Sequence, residues 1–355
     1  MLIPRIKLDR QLYFPGQSVT GFVTVSNKDT ISLRSYRIKF IGTVVVYDDR
    51  HRSSHNTNAR QYIQAEEKYI DKRYFIWKSE DGKNKLPAGD HEWKFSFDLP
   101  PNCPSSYEDN LGFIRYSVKV DVDKPLCPKL RAEKGVSVCS VMDLNLIHGA
   151  GNIIQLMRLN GNVGFTIYSP TVCVSGQTIK LSGSLQNNSN KSIESIKASF
   201  CTSVTYRKDP NLKWLGAYRT PVTSKRYTTD RPVHEEKERE IELFRQTFPI
   251  PAGQTKQFAF PIDIPPVVGT INNCHFILVE YSIKLSVRFK SLFKSDAEAS
   301  VEMLVGNVPL LAPGKSEAPP YTLQKGKKAQ ELCIHLDDFG PMFPYYGKEN
   351  KIIKM

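Results

Sequence analysis

The residues of this chain that could carry chemistry form no catalytic or metal-binding pattern. The seven histidines have no HExxH or similar ligand spacing, and no two of the seven cysteines have a CxxC spacing. The sequence also contains no GxSxG nucleophile elbow, phosphate-binding P-loop or GxGxxG fingerprint. We therefore expect no catalytic residues, no metal ligands and no cofactor. We interpret the cysteines as isolated, reduced thiols that behave as small apolar side chains.

A set of basic side chains has a chemistry suited to binding. Between positions 207 and 231 the cations outnumber the two acids, Asp209 and Asp230. Each cation close to an anionic leaflet contributes on the order of 1 kcal/mol, so the set predicts weak contact with anionic lipid or with a phosphorylated protein tail. A solvated protein face is the alternative interpretation. The candidate residues are Arg207, Lys208, Lys213, Arg219, Lys225, Arg226 and Arg231.

A short proline motif near the C-terminal end is the second binding candidate. Residues 318–321 read Ala-Pro-Pro-Tyr and lie in a segment that is poor in apolar side chains. Adjacent prolines favour the polyproline II conformation, which the aromatic grooves of WW domains recognise. Pro319, Pro320 and Tyr321 are therefore candidates for WW-domain binding. The alternative is a solvated linker in which Pro-Pro-Tyr occurs by chance.

The segments that must position these groups have a hydrophobic period of two. In residues 114–122 every second side chain is apolar, and the intervening ones are polar or charged. Residues 279–287 repeat this pattern. Strict alternation is typical of a strand with one buried face and one wet face. Because Pro and Gly interrupt these segments at short intervals, the pattern predicts an antiparallel sandwich.

The sequence contains this unit twice. Residues that match at a spacing of 160 positions include Gly16 with Gly176 and Phe40 with Phe200. Further along, Tyr116 matches Tyr281 at a spacing of 165 positions. Solenoid repeats span roughly 20–50 residues, so the longer period indicates a duplicated domain. We predict two tandem sandwiches in which Tyr116 and Tyr281 occupy equivalent buried positions.

The two repeats and the composition between them predict the domain boundaries. We expect a first domain over residues 1–148, a hinge over 149–162 and a second domain over 163–310. Residues 311–355 contain much Pro, Lys and Gly, which predicts an extended tail that is at least partly disordered. The highly charged segment 233–244 is compatible with a helix or with a loop that leads into a strand.

The composition is that of a globular protein outside the membrane. A chain of 355 residues is long enough for two cores, and 40% hydrophobic with 24% charged residues is typical of soluble domains. No apolar run approaches the ~18 residues of a membrane span, and charge and proline interrupt the first ten residues, so we expect a cytosolic protein. The net charge of +13 favours acidic partners, but no nucleic-acid-binding motif accompanies it.

Several motifs resemble the arrestin family. Residues 15–23, which read Pro-Gly-Gln-Ser-Val-Thr-Gly-Phe-Val, and residues 86–89, which read Leu-Pro-Ala-Gly, are similar to its N-terminal domain. Residues 143–145 (Asp-Leu-Asn) and 304–309 (Leu-Val-Gly-Asn-Val-Pro) resemble the start and end of its C-terminal domain. The motifs occur in family order over about residues 1–310. The resemblance implies an all-β arrestin fold, with two tandem antiparallel immunoglobulin-like β-sandwiches and a flexible C-terminal tail.

Within the family the chain is more similar to the α-arrestins, or arrestin domain-containing proteins. A short proline-rich link lies between Leu99 and Phe113, where visual and β-arrestins carry an amphipathic helix. Residues 339–346 are also similar to an aromatic stretch in α-arrestin tails, with Phe343 in place of its first Tyr.

The resemblance to α-arrestins implies a cytosolic adaptor or scaffold without enzymatic activity. Such adaptors bind membrane-protein cargo, receptors or transporters, at the plasma membrane or endosomes. They bring WW-domain HECT ubiquitin ligases to the cargo through PPxY motifs, which leads to ubiquitination, endocytosis and sorting. Here Ala318 stands where PPxY has its first proline. The alternative is a constitutive coat subunit similar to the arrestin-like subunit of retromer.

Overall fold

Strands make up nearly all of the regular structure, as the period-two pattern predicts. In β3, for example, the buried side chains alternate with less buried ones from Val19 to Val25. The described part of the chain is all-β apart from one short 3-10 helix, Leu144–Leu146. The structure is a computed structural model, and it describes residues 4–47, 63–79, 84–126, 130–208, 234–290, 297–312, 314–328 and 339–347.

The first sandwich consists of two facing sheets. Its strands are β1 (Arg5–Leu8), β2 (Leu12–Tyr13), β3 (Ser18–Asn27), β4 (Ile31–Ser32), β5 (Ser35–Tyr47), β6 (Ile63–Lys78), β7 (Lys85–Leu86), β8 (Gly89–Asp98), β9 (Tyr107–Glu108), β10 (Gly112–Asp123) and β11 (Leu130–Val138). One sheet has the order β1-β3-β8, and the other has the order β2-β11-β10-β5-β6, with β9 paired to β10. The edge strand β2 runs parallel to β11.

The second sandwich repeats the order of the two sheets and adds one edge strand, although its described residues contain fewer short strands than the first sandwich. Its strands are β12 (Ile153–Asn160), β13 (Val163–Pro170), β14 (Val172–Val174), β15 (Thr178–Asn187), β16 (Ile193–Arg207), β17 (His234–Ile250), β18 (Thr255–Asp263), β19 (Ile277–Phe289) and β20 (Ala297–Gly306). The sheet orders are β12-β13-β15-β18 and β14-β20-β19-β16-β17. Strand β14 runs parallel to β20, as β2 does to β11. Among the described strands, β12 has no counterpart at the edge of β1-β3-β8.

Equivalent residues of the two sandwiches have equivalent surroundings, which confirms the predicted duplication. Tyr116 and Tyr281 are both buried. The hydroxyl of Tyr116 donates to the carbonyl of Pro104 at 2.8 Å, and that of Tyr281 donates to the carbonyl of Val268 at 2.7 Å. Most of the buried apolar side chains of both sandwiches belong to one contiguous cluster. The core therefore continues through the contact between the domains.

The connection between the domains differs from the predicted hinge. Residues 149–152 form a turn, but residues 153–160 of the expected hinge are strand β12, paired along its whole length with β13. Apolar residues of β12 lie on both faces of the strand, so its sequence lacks the alternation that is typical of strands. The 3-10 helix before the turn is capped by Asp143, whose carboxylate accepts from the Asn145 amide at 2.9 Å. The domain limits themselves remain a proposal.

The tail also differs from the extended, partly disordered segment that its composition predicts. Strands β21 (Thr322–Lys325) and β22 (Met342–Tyr345) pair with each other in antiparallel orientation. Phe343 and Tyr345 of β22 are buried, so this part of the tail is packed and not extended into solvent. In the charged segment 233–244, for which a helix and a loop both remained open, the described residues 234–244 are the first part of strand β17.

Candidate functional site

A buried carboxylate joins the two domains and the tail. Asp109 follows β9 in the hairpin that leads to β10, and its side chain is only 1% exposed. The Tyr206 hydroxyl of β16 donates to it at 2.5 Å, and the Lys327 ammonium of the tail lies 2.7 Å away. The Arg239 guanidinium of β17 forms a further ion pair with the same carboxylate. Three parts of the chain that are distant in sequence therefore meet at one side chain.

The electrostatics of this cluster keep Asp109 charged. Burial alone raises the pKa of the carboxyl, but hydrogen bonds from Arg239, Lys327 and Tyr206 outweigh it and hold the pKa well below its usual range. Burial and the nearby carboxylate raise the pKa of Tyr206, which remains a protonated donor. A carboxylate whose charge is fully engaged is a poor base or nucleophile. We therefore interpret the cluster as a contact that holds three parts of the chain together.

A second buried ion pair stiffens the hairpin that carries Asp109. The guanidinium of Arg115 makes two hydrogen bonds to the carboxylate of Glu108, both at 2.7 Å, and also lies over the Phe113 ring. Burial raises the pKa of Glu108, and the adjacent Arg115 opposes that shift. Because both charges are buried and paired in a two-point geometry, Glu108 and its neighbour Asp109 are held in fixed positions.

The domains also meet through polar contacts near Asn307. The Asn307 side-chain oxygen accepts from the Met142 amide at 2.6 Å, and its side-chain nitrogen lies 2.9 Å from the Cys139 sulfur. Some distance away, the Tyr69 hydroxyl of the first domain approaches the Cys274 sulfur of the second at 3.4 Å. The contacts of Asn307 hold the end of the first domain against the end of the second, and the Tyr69–Cys274 contact is a second point where the domains meet.

The tail lies across the boundary between the domains. In the first domain, the Phe339 ring packs on Gly135, where any side chain would collide with it, and the Met342 amide donates to the Ser137 hydroxyl at 3.0 Å. In the second domain, the Tyr346 amide donates to the carbonyl of Ser175 at 2.9 Å. The Tyr346 hydroxyl donates to the carbonyl of Asn307 at 2.7 Å. The tail thus contacts both domains with backbone and side-chain groups.

The WW-binding candidate precedes this docked part of the tail. Pro319 and Pro320 are exposed and belong to no strand, and Tyr321 is 45% exposed. Strand β21 begins at the next residue, and the Tyr321 ring contacts the Tyr346 ring with 5.9 Å between their centroids. The structure therefore places the three candidate residues together on the surface, with one side of the tyrosine covered by the docked tail.

The predicted basic set is described only at its beginning. Arg207 ends strand β16 and Lys208 follows it, and both are partly buried. The strands on either side of the basic segment are neighbours, because Arg207 of β16 pairs with His234 at the start of β17. The other five candidates lie outside the described residues, namely Lys213, Arg219, Lys225, Arg226 and Arg231.

Sequence reasoning did not find the Asp109 cluster. The partners of Asp109 lie 97 residues away at Tyr206, 130 at Arg239 and 218 at Lys327, so no local spacing connects them. One signal was present: consecutive acids, Glu108 and Asp109, sit in a hairpin between apolar segments, where acids need partners. The identity of those partners depends on how the domains and the tail pack.

The described residues supply no further chemical centre. Among them, no three His, Cys, Asp or Glu side chains come together in a way that could hold a metal ion. In the same residues, no helix is long and apolar enough to cross a membrane.

Comparison with known proteins identifies the class to which this arrangement belongs. The family model for the arrestin (or S-antigen) N-terminal domain matches residues 5–145, and the model for the arrestin (or S-antigen) C-terminal domain matches residues 162–310. Together the two matches cover most of the chain, so it belongs to the arrestin family. The relatives in turn are arrestin domain-containing proteins, and the chain is an α-arrestin, as the sequence motifs predict.

The similarity to individual relatives is low but extends over most of each chain. Arrestin domain-containing protein 17 of Caenorhabditis elegans is 25% identical over 85% of this chain and 69% of its own length. Arrestin domain-containing protein 1 of Mus musculus is 23% identical over 89% of this chain and 67% of its own length. Arrestin domain-containing protein 1 of Homo sapiens is 22% identical over 94% of this chain and 72% of its own length.

Proposed function

We propose that this α-arrestin is a non-enzymatic adaptor that binds membrane-protein cargo, receptors or transporters, and links it to ubiquitination, endocytosis and sorting. Arrestin-family proteins are generally adaptors without catalytic activity. The observation that carries the finer proposal is the exposed Pro319–Pro320 pair, presented beside a tail that is held on both domains. The protein acts in the cytoplasm and is recruited to the plasma membrane or endosomes.

We further propose that the tail motif Pro319, Pro320 and Tyr321 recruits a WW-domain ubiquitin ligase of the HECT class. Two exposed prolines outside any strand are free to adopt polyproline II geometry, which lowers the ordering cost of binding. Tyr321 then fills the specificity pocket of the WW domain. Ala318 removes one proline ring from the contact, and a loss of about 1.4 kcal/mol weakens binding tenfold. Binding is therefore expected to be weak.

The docked tail adds a constraint on ligase binding. The Tyr321 ring packs against Tyr346, whose backbone and hydroxyl are hydrogen-bonded to the second domain. A WW domain that takes up the tyrosine ring must replace this contact. The isolated motif should therefore bind at least as tightly as the same motif in the whole chain.

Titration of a labelled peptide spanning residues 315–325 against WW domains tests the ligase proposal. We expect detectable, weak binding that is lost with Tyr321→Ala and strengthened with Ala318→Pro. Thr322→Ala is the matched control, because Thr322 lies next to the motif but outside it. If Ala318→Pro leaves the affinity unchanged, or if Tyr321→Ala binds as well as the original peptide, the motif does not recruit a ligase.

The basic segment between β16 and β17 gives the adaptor a weak, salt-sensitive contact with anionic membrane. Positive charges close to an anionic leaflet add their attractions, and screening limits their reach to about 8 Å at physiological salt. The experiment is flotation of the whole chain with anionic vesicles. Reversing two charges with Lys225→Glu and Arg226→Glu should reduce binding, and raising the salt concentration should abolish it.

A matched control distinguishes this contact from a general effect of net charge. Lys28→Glu with Lys180→Glu reverses the same number of charges at exposed positions of the two sandwiches. We expect this variant to bind vesicles nearly as well as the original chain. Equal losses in the two variants would mean that overall charge, and not the segment, drives the binding.

A further inference from the structure

Strand β12 is an apolar strand at the edge of its sheet as far as the structure describes the chain. It pairs with β13, and no other described strand joins its free edge. Ile153, Met157 and Leu159 are 60%, 70% and 72% exposed, respectively. They project from the same face of the sheet, because alternate residues of a strand point to the same side. The unpaired N–H and C=O groups of such an edge are a template for another strand.

Each of the other edge strands longer than three residues in the two sandwiches carries at least two charged side chains. The outward side chains of β1 include the exposed Arg5 and Lys7. Strands β6 and β17 carry clusters of Glu, Lys, Arg and Asp side chains along their lengths. Charged side chains at an edge discourage pairing with a further strand. Strand β12 contains a single charge, Arg158, and thus lacks this protection.

We propose that β12 pairs with β12 of a second copy of this chain, in antiparallel orientation and with Leu156 on the twofold axis. This pairing joins the four-stranded sheets of the two copies into one continuous sheet. It places Ile153 opposite Leu159 of the second copy and Gln155 opposite its Met157. Residues opposite each other in an antiparallel pair share a face, so the outward faces of the two sheets stay on the same side.

The charge pattern of β12 fits a second copy of itself. In this register the single charge, Arg158, lies opposite Ile154 and not opposite its own copy, so the pairing brings no like charges together. The exposed apolar residues of one copy cover those of the other, and the partly exposed Tyr168 of the neighbouring strand extends the apolar surface. Shifting the twofold axis to Met157 leaves Ile153 without a partner. A self-complementary contact of this kind generates a closed twofold dimer.

Sedimentation equilibrium of the whole chain tests whether the dimer exists. We expect a monomer–dimer equilibrium, with Met157→Lys and Leu159→Lys together weakening the dimer at least about tenfold. Gln257→Lys with Ala259→Lys is the matched control, because these exposed positions lie on the outward face of β18 in the same sheet. The control should dimerise like the original chain. A chain that remains monomeric at all concentrations, or a control that dissociates equally, overturns the proposal.

Disulfide trapping tests the register independently of affinity. Cβ atoms of directly opposite residues lie about 4.5–5.5 Å apart, so only small adjustments bring them to disulfide geometry. Gln155→Cys protein is mixed with Met157→Cys protein, with Cys127 and Cys333 replaced by serine in both. We expect a covalent dimer in the mixture and little in either protein alone. Equal trapping in the separate proteins, or none in the mixture while all variants melt at the original temperature, contradicts this pairing.

Discussion

The two sandwiches share the same turn, but the tail packs against only one of the two copies. Gly16 and Gly176 occupy equivalent turns with positive φ values of 81° and 84°. In both turns a glutamine side chain accepts from a backbone amide, with Gln17 bonded to Phe14 and Gln177 bonded to Val174. The backbone of the first turn faces open space, whereas Gly347 and Tyr345 of the tail lie directly against Gly176.

The unequal covering of the two turns shows how two copies of one scaffold acquire different surfaces. The local sequence and hydrogen bonds keep the turns alike, so the asymmetry comes from what packs against them. The tail covers the turn at Gly176 and leaves the turn at Gly16 open. The same holds at the sheet edges, because only the second sandwich carries the additional strand β12 in the described part of the chain. Equivalent substitutions in the two sandwiches therefore separate the shared scaffold from the features that the tail adds.

The largest expected effect concerns the part that the two sandwiches share. Phe40 and Phe200 are fully buried and pack against neighbouring rings, Phe97 and Tyr281 respectively. Replacing either phenylalanine with alanine should cost about 3–5 kcal/mol, because it removes buried apolar area and leaves a cavity. Urea unfolding measures the loss for each variant. Losses that differ by several kcal/mol between Phe40→Ala and Phe200→Ala would show that the two cores are not equivalent.

The next effect concerns the carboxylate that joins both domains to the tail. Asp109→Asn removes the charge that Arg239 and Lys327 engage, and it should lower the free energy of unfolding by about 1–3 kcal/mol. The folded-state pKa of Asp109 is depressed, so its contribution is present above the ordinary pKa of about 3.9 and is lost as pH falls through the folded-state value.

The pH dependence gives this prediction a second readout. As pH falls from about 4 toward the depressed folded-state pKa, the stability advantage of the original chain over Asp109→Asn should shrink progressively, because the unfolded chain binds a proton at Asp109 that the folded chain does not. Asp98→Asn is the control, since Asp98 is exposed and bonds to Ser18 within the first domain. A stability difference between Asp109→Asn and the original chain that is constant from pH 3 to pH 7 would contradict the role of the ionised carboxylate.

A smaller effect distinguishes the open turn from the covered one. Gly16→Ala and Gly176→Ala each place a side chain in the left-handed region, which costs roughly 1–2 kcal/mol. At Gly176 the added methyl group also collides with the backbone of Gly347. We therefore expect limited proteolysis to cleave the tail faster in Gly176→Ala alone. Equal cleavage in the two variants would argue against the tail contact.

The smallest effect concerns the proline motif. Tyr321→Ala removes one half-exposed ring contact with Tyr346, so thermal unfolding should change by no more than about 0.5 kcal/mol. Binding of a WW domain to the whole chain should nevertheless be lost. A stability loss as large as that of Asp109→Asn would assign Tyr321 a structural role in holding the tail.

Much of the fold could be predicted from the sequence because its determinants are local or repeated. Alternation around Tyr116 and Tyr281 predicts the central strands, and the repeated Gly16 and Gly176 contexts predict the duplication; the structure bears out both. Strand β12 escaped prediction because its sequence has no period of two. Its strand conformation is held by pairing with β13, and the local sequence pattern contains no signal for that pairing.

The docked tail and the Asp109 cluster escaped prediction for a different reason. The composition of residues 311–355 is too polar to form a core, and that reasoning treats the segment as isolated. Phe343 and Tyr345 are instead buried, with Tyr345 against Gly176 of the second domain, and the neighbouring Met342 is hydrogen-bonded to Ser137 of the first. In the same way, the charge of Asp109 is balanced by partners from the second domain and the tail. Such contacts follow from the packed arrangement and have no sequence spacing to reveal them.

Hydrogen exchange of the whole chain tests most directly whether the tail is held across both domains. The amides of Gly326, Met342 and Tyr346 donate to Pro341, Ser137 and Ser175 respectively. We predict slow exchange for peptides covering residues 322–326 and 342–346, and fast exchange for the exposed residues 314–321 that include the proline motif. Exchange in residues 342–346 as fast as in residues 314–321 would contradict the docked tail.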